Sequence, residues 1–327
     1  MQPRLRLNIE PYKNDPGHWG NSLVANAEVI VPLLEAAGAR SVGEVGSYAG
    51  DLTRLLLEWA AQRDATVWAI DPMPQPQLEE LDATRTDLEL VRLSSVDALN
   101  TIPMPDAVVL DGDHNYFTVS EELRIIGERA PGAKLPLLLF HDVRWPHARR
   151  DSYYTPELIP EEHRQPIVEG GGVYPGNEGL TTSGLPYQYP AAHEGGPANG
   201  VLTAVEDFVA ANEGLRLAVF PSFFGLGVVW HQGAEWADAV AAVIDPLDGH
   251  PVLERLEANR VLHLANVHAQ RLETHKALER ARRTEDLLQR MLGSGVFTLA
   301  EKLSGLRHRG APTAISREEI RRALEGR

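Results

Sequence analysis

Short apolar runs and helical stripes alternate along the first two thirds of the chain. After a helix expected around Asn26 to Ala37, "SVGEVGS" (41–47) reads as a strand and "DLTRLLLEWAAQR" (51–63) as a helix. On that helix Leu52, Leu55, Leu56 and Trp59 recur at i, i+3, i+4 and i+7, one apolar stripe that Asp51 can cap. Four more runs follow: "TVWAID" (66–71), "LELVRL" (88–93), "DAVVLD" (106–111) and "LPLLLFHD" (135–142), with a helix at 118–129 between the last two. Near-continuous apolar strands separated by helices predict a parallel sheet covered on both faces.

A further helix, "VLTAVEDFVAAN" (201–212), precedes "LRLAVF" (215–220) and "FGLGVVWH" (224–231). Only Pro221, Ser222 and Phe223 separate those two runs, too short a gap for a parallel crossover, so they predict an antiparallel hairpin. The expected fold class is therefore α/β: a doubly wound, seven-stranded sheet of five parallel strands plus a terminal hairpin, with a C-terminal helical extension.

Residues 151–200 break the rhythm with seven prolines, nine glycines and five of the eight tyrosines. A long aperiodic stretch inside a compact domain reads as a lid or binding loop, and its aromatics argue against disorder. Beyond "DGHP" (248–251) one long helix is predicted over 252–292, with Leu253, Leu256, Leu264, Val267 and Leu278 on a heptad seam that Arg260, Arg271 and Thr274 interrupt. A partly apolar helix of this length needs a partner surface, which predicts a homo-oligomer. "SREE" (316–319) is a capping box for a last short helix. The domains expected are a cap segment at 1–21, a ligand-binding domain at 22–232 containing the 151–200 lid, and a helical extension at 233–327.

Composition narrows the classes. The chain of 327 residues has no cysteine, which removes disulfides, thiolate metal sites and a cysteine nucleophile. Neither a signal-peptide core nor a membrane-length apolar run is present, so a cytoplasmic protein without a membrane partner is expected. Charge is uneven: residues 251–327 carry 15 Lys+Arg against 10 Asp+Glu, which leaves a net −20 on the remainder of a chain whose total is −15. An acidic body argues against nucleic acid as the main partner.

Two stretches can carry chemistry. In "EVGSYAGDLTRLL", Gly46 and Gly50 follow a strand and open a helix, leaving room for a ligand at the helix N-terminus beside Glu44 and Ser47. One strand later Asp71 closes "TVWAID", where a carboxylate can accept from a ribose's two hydroxyls. The bland alternative is a strand-to-helix turn without a ligand. The second stretch is "VVLDGDHNYF" (108–117), in which an apolar run drives directly into Asp111, Asp113 and His114. Unpaired charge there would be costly if buried, so these groups sit either at a strand's open end or in an ordinary polar loop.

These motifs resemble class I S-adenosylmethionine-dependent methyltransferases, a Rossmann-like family, over roughly residues 22–232. The resemblance implies that Gly46, Ser47 and Gly50 hold the methionine end of the cofactor, that Asp71 binds its ribose, and that Ser95 lies near the adenine. "LDGDHNY" and "FHDVRW" are similar to the metal-dependent O-methyltransferases, in particular the branch of cephalosporin-hydroxylase-like proteins and of rhamnosyl and macrolide-sugar O-methyltransferases. That likeness implies Mg²⁺ or another divalent cation on Asp111, His141 and Asp142. His141 departs from the family's oxygen ligands, which shifts preference toward Mn²⁺, Fe²⁺ or Zn²⁺ or leaves Asp113 as the third ligand. His114 stands where catechol-type relatives place a basic lysine, and so is a candidate general base, with a surface histidine as the alternative.

Asp113, Arg144, Trp145, Tyr153 and Tyr154 are further candidates to meet a hydroxylated small-molecule acceptor, with Arg149, Arg150 and His147 nearby. The alternative for the arginines is a basic turn paired with the acidic body. The function implied is O-methylation of a hydroxyl on a sugar or other natural-product scaffold. A cofactor-binding partner of a hydroxylase-type tailoring system is the second reading, and a nicotinamide dehydrogenase, disfavoured by the glycine spacing, the third.

Overall fold

The computed structural model describes residues 22–296 and, beyond them, 298, 299, 303, 320, 321 and 324. The expected cap segment at 1–21 and the capping box at 316–319 lie outside the described residues.

Helix α1 (Ala27–Ala36) precedes strand β1 (Ser41–Val45), α2 (Asp51–Ala60), β2 (Thr66–Ile70), α3 (Pro76–Thr84), β3 (Leu88–Val91) and α4 (Ser95–Thr101). Then follow β4 (Ala107–Leu110), α5 (Tyr116–Arg129), β5 (Leu137–Phe140), α6 (Val201–Ala211), β6 (Leu215–Phe220), β7 (Leu226–His231), α7 (Ala237–Ile244) and α8 (Pro251–Gly293). The sheet order is β3-β2-β1-β4-β5-β7-β6. Strands β1 to β5 pair in parallel, and β7 runs antiparallel to both β5 and β6.

The polar–apolar pattern accounts for this arrangement. Every residue of β4 and β5 is buried, as a central parallel strand requires. Successive side chains feed opposite faces: Ala107 and Val109 join the core under α1, α2 and α7, while Val108 and Leu110 join the core under α4, α5 and α6. The stripe Leu52, Leu55, Leu56 and Trp59 is buried as the spacing predicts, each side chain contributing roughly 1.5–3 kcal/mol by leaving water. Asp51, however, is the first helical residue of α2, not its cap. Gly50 holds the cap position in the left-handed region, φ 80°.

Helices α3 and α4 are additional to the expected pattern, since short helices with one or two buried positions leave little periodic signal. Helix α7 buries Ala237, Val240 and Ile244 against the sheet. The compact unit accordingly runs to Ala265, past the expected boundary at 232, and residues 266–327 form a second unit. Among the described residues, no helix is long and apolar enough to cross a membrane.

The strand order reverses between β1 and β4. In open α/β sheets the crevice beyond the carboxyl ends at that point is where ligands bind. The 151–200 insert follows β5, carries two short internal ladders, Ser152–Tyr153 with Tyr189–Pro190 and Gly172–Val173 with Leu185–Pro186, and meets the loop after β4 through a bridge from Ser152 to His114.

Candidate active site

The glycine turn after β1 and the end of β4 are packed backbone to backbone. Gly46 has φ 85°, and a Cβ added there would lie 2.2 Å from the Asp111 carbonyl oxygen. No other residue type fits both demands. Glu44 lies buried beneath the turn, where the Thr53 hydroxyl donates to it at 2.6 Å. Burial pushes its carboxyl up to about 7, opposed by the hydrogen bonds from Thr53 and Ser47. Glu44 thus braces α2 against β1, and Ser47 is buried beside it, its hydroxyl donating to the Glu44 carbonyl at 3.0 Å.

Asp71 receives backbone N–H groups from Tyr48 and Met73, both at 2.8 Å. Each oxygen of an ionised carboxylate has a second lone pair, so the group can still accept from a ligand's hydroxyls. Around this edge three large apolar side chains face solvent after β1, β2 and β3: Tyr48, Met73 and Leu93, at 64%, 74% and 42% exposure. Met73 and Leu93 were not singled out by sequence, because a lone apolar residue in a loop carries no period. Ser95 lies in the first turn of α4 and hydrogen-bonds the buried Glu122.

Strands β4 and β5 bring the charged cluster together. The nearest ligand atoms of Asp111, His141 and Asp142 all lie within 4.8 Å of one another. His141 Nε2 stands 2.9 Å from the Phe223 carbonyl oxygen, which can only accept, so Nε2 carries the proton. Nδ1 then faces Asp111 Oδ1 at 3.1 Å and Asp142 Oδ2 at 3.6 Å. A ring nitrogen facing two carboxylate oxygens demands positive charge between them, supplied by a second proton or by a cation. Asp142 itself is in the left-handed region, φ 58°, a conformation costing about 1–3 kcal/mol that is concentrated at functional sites.

The electrostatics follow from this crowding. Burial opposes charge on His141, yet Asp111 and Asp142 push it up to about 10. Burial likewise opposes charge on His114, whose Nε2 lies 3.0 Å from Asp142 Oδ2, and the surrounding carboxylates push it up to about 9. Burial would raise Asp142, but the two histidines hold it well below the usual carboxylate range. Burial, with the His114 charge beside it, drives His147 down to about 3. A donor set of one imidazole and two carboxylates, with the imidazole's second nitrogen tied to a backbone carbonyl, fits a divalent cation.

Several expected contacts are revised. Asp113 accepts from the His114 amide at 3.0 Å and the Thr118 hydroxyl at 3.2 Å, Asn115 caps the helix that follows, and His141 stands with Asp111 and Asp142 in the cluster. Tyr153 is buried: its hydroxyl donates to Asp151 at 2.7 Å and accepts from the Gln165 amide at 2.8 Å, which removes it from the acceptor surface. Arg144 pairs with Glu254 of α8 and Arg149 with Glu206 of α6. Arg150, almost fully buried, donates to the carbonyls of Ala191 and Glu178, both at 2.6 Å, and so ties the insert down. The arginines therefore follow the alternative of pairing within the body. Trp145 is half-buried, and Tyr154, 68% exposed, stands edge-on to His114 with ring centroids 5.6 Å apart.

No protein-family model matches the chain, and a search of curated proteins finds no match. Among solved structures, it is similar to the methyltransferase PaMTH1 of Podospora anserina in its SAH-bound form, at 13% identity and a TM-score of 0.41, over 67% of this chain and 82% of that one. It is also similar to DesVI of Streptomyces venezuelae, at 14% identity and a TM-score of 0.40, over 65% and 93% of the two chains. A third likeness is to human N-acetylserotonin methyltransferase with SAM, at 11% identity and a TM-score of 0.36, over 71% and 60%.

Proposed function

We propose that this chain is an S-adenosylmethionine-dependent O-methyltransferase that uses a divalent cation and acts on a hydroxyl of a sugar or other natural-product scaffold. One observation carries the reading. A glycine turn and a carboxylate suited to a nucleoside abut, at the reversal point of the sheet, a cluster in which His141 Nδ1 faces Asp111 and Asp142.

S-adenosylmethionine, when bound, supplies the methyl group, and the cation supplies the Lewis acidity that lowers the acceptor hydroxyl's pKa. Asp111, His141 and Asp142 would hold the cation. The turn at Gly46, Ser47 and Gly50, with Asp71, would hold the cofactor, while Tyr48, Met73 and Leu93 offer apolar surface to its base. Asp142 accepts from His114 Nε2 at 3.0 Å; a cation on Asp111 and Asp142 would offset the carboxylates that keep His114 protonated, and Nδ1 would then be the atom to receive the acceptor's proton. Tyr154 and Trp145 would cover the acceptor and exclude water. The main contribution of the protein is then to align an acceptor oxygen with the methyl group and to take up its proton.

Calorimetric titration tests the reading. S-adenosylhomocysteine is expected to bind, and Mg²⁺ or Mn²⁺ to give a further heat that disappears in Asp142→Asn. Cofactor binding with no metal heat in the unaltered chain would remove the cation from the mechanism. No cofactor binding would overturn the transferase itself.

A further inference from the structure

The turn between β6 and β7 holds two bulky residues in the left-handed region, Phe223 at φ 55° and Phe224 at φ 65°. Such residues stay there only when their surroundings compel it. The compelling group is Glu257, buried on α8. Its Oε2 accepts the Phe223 N–H at 3.0 Å and its Oε1 the Phe224 N–H at 2.8 Å. Arg260, one turn on, grips the same carboxylate through Nε at 2.7 Å and a terminal nitrogen at 2.6 Å. Its guanidinium lies 4.4 Å from the Phe224 ring centroid and 5.5 Å from that of Phe223.

The carbonyls of these two residues point the other way, into the loop after β5. That of Phe224 accepts the Arg144 N–H at 2.7 Å, and that of Phe223 meets His141 Nε2 at 2.9 Å. The strained turn is thus a two-sided connector, with both amides fixed by α8 and both carbonyls fixing the segment that carries His141 and Asp142. Glu254, on the same first turns of α8, pairs with Arg144 and reinforces the link.

We propose that Glu257 is a positioning residue for the cation site: by holding the 223–224 turn it fixes the tautomer and ring plane of His141, so that Nδ1 presents its lone pair between Asp111 and Asp142. This rests on the cation reading above and adds to it a residue that touches neither cation nor cofactor. A carboxylate suits the task because it can receive two adjacent amides at once. A glutamine in its place has one accepting oxygen and would turn an NH₂ group toward the other N–H.

The test uses the full chain and Glu257→Gln, with Mn²⁺ affinity followed by the paramagnetic signal of the free ion and S-adenosylhomocysteine affinity by calorimetry. Mn²⁺ binding is expected to weaken ten- to hundredfold, the usual consequence of losing a partner behind a metal ligand, with cofactor affinity unchanged within about twofold. Histidine nitrogen resonances of the metal-free chain give a second readout: the protonated Nε2 of His141 should be hydrogen-bonded in the unaltered chain and lose that signature in the variant. Equal Mn²⁺ affinity in both chains would overturn the role of Glu257 while leaving the cation site standing. Parallel loss of Mn²⁺ and cofactor affinity would also overturn it, by showing a general loss of structure. An unaltered chain that binds no Mn²⁺ would instead overturn the cation reading itself.

Discussion

The carboxyl of Glu122 sits on α5 with its Oε1 buried and without a hydrogen-bond partner among the described residues, and Ser95 bonds the group. It helps to line a polar cavity of about 10 Å³, together with Asp111, Asp113, His114 and His141, room for a single water at most. Burial pushes this carboxyl up to about 8, from 4.5 for a free glutamate, with Asp113 adding to the rise and Ser95 and His114 opposing it. The folded chain therefore keeps a proton that the unfolded chain releases, and stability should fall as pH rises from 4.5 to 8. The slope from one such group is at most about 1.4 kcal/mol per pH unit. Glu122→Gln keeps the shape without the titration, so it should lose less stability than the unaltered chain between pH 6 and pH 8, as measured by urea midpoints. Parallel midpoints in the two chains would show that Glu122 ionises freely.

Among elements, the 151–200 insert illustrates how an aperiodic segment is held. Asp151 accepts the Tyr116 N–H at 2.8 Å and the Gly200 N–H at 2.7 Å, the first helical residue of α5 and the residue before α6. Two helix N-termini and the Tyr153 hydroxyl thus converge on one buried carboxylate, which burial pushes up to about 6 against the pull of these hydrogen bonds. Asp151→Ala would strand two N–H groups, each costing about 1–3 kcal/mol, so a loss of roughly 2–6 kcal/mol in unfolding free energy is expected. Limited proteolysis should then cut within 152–199 while the sheet survives. A loss below about 0.5 kcal/mol, the range of an ordinary surface change, would show that the insert is anchored elsewhere.

For the whole molecule, α8 belongs to two units, with its first turns clamping the site and the rest carrying exposed apolar residues. Leu278 and Leu287 are half or more exposed on the second unit, and Leu256 on the first. Such side chains on a helix call for a covering surface, and we expect a second copy of this chain to provide it. Light scattering tests this on a chain ending at Ala265, which retains Glu254 and Glu257. The full chain is expected as a dimer or larger and the shortened one as a monomer, and equal stoichiometry in the two would refute the arm's role. A cut after 248, where the sequence breaks, would confuse assembly with damage to the proposed cation site.

How much of this was legible in the sequence depended on how local the cause was. The strands of the main sheet and the longer helices followed from periodicity, the short α3 and α4 did not, and Asp111, His141 and Asp142 stood out because they end apolar runs. Once the runs are parallel neighbours, their ends must meet at one edge. Composition, by contrast, could not tell the buried Tyr153 from the exposed Tyr154, since adjacent residues differ only in what the insert folds against. Nor could sequence show that His141 stands beside Asp111 and Asp142 while Asp113, the alternative ligand, bonds the His114 amide and the Thr118 hydroxyl. Glu257 carried no signal at all, because its meaning lies in two amides of a turn brought to it by docking of α8 on the sheet. The sequence by itself determined the seven strands of the main sheet, its longer helices and the polar groups that end the strands, because those follow from apolar period and chain direction. Only the tertiary structure decided which nitrogen of His141 faces the carboxylates and what holds it there, because a hydrogen bond between distant segments exists only after both are packed.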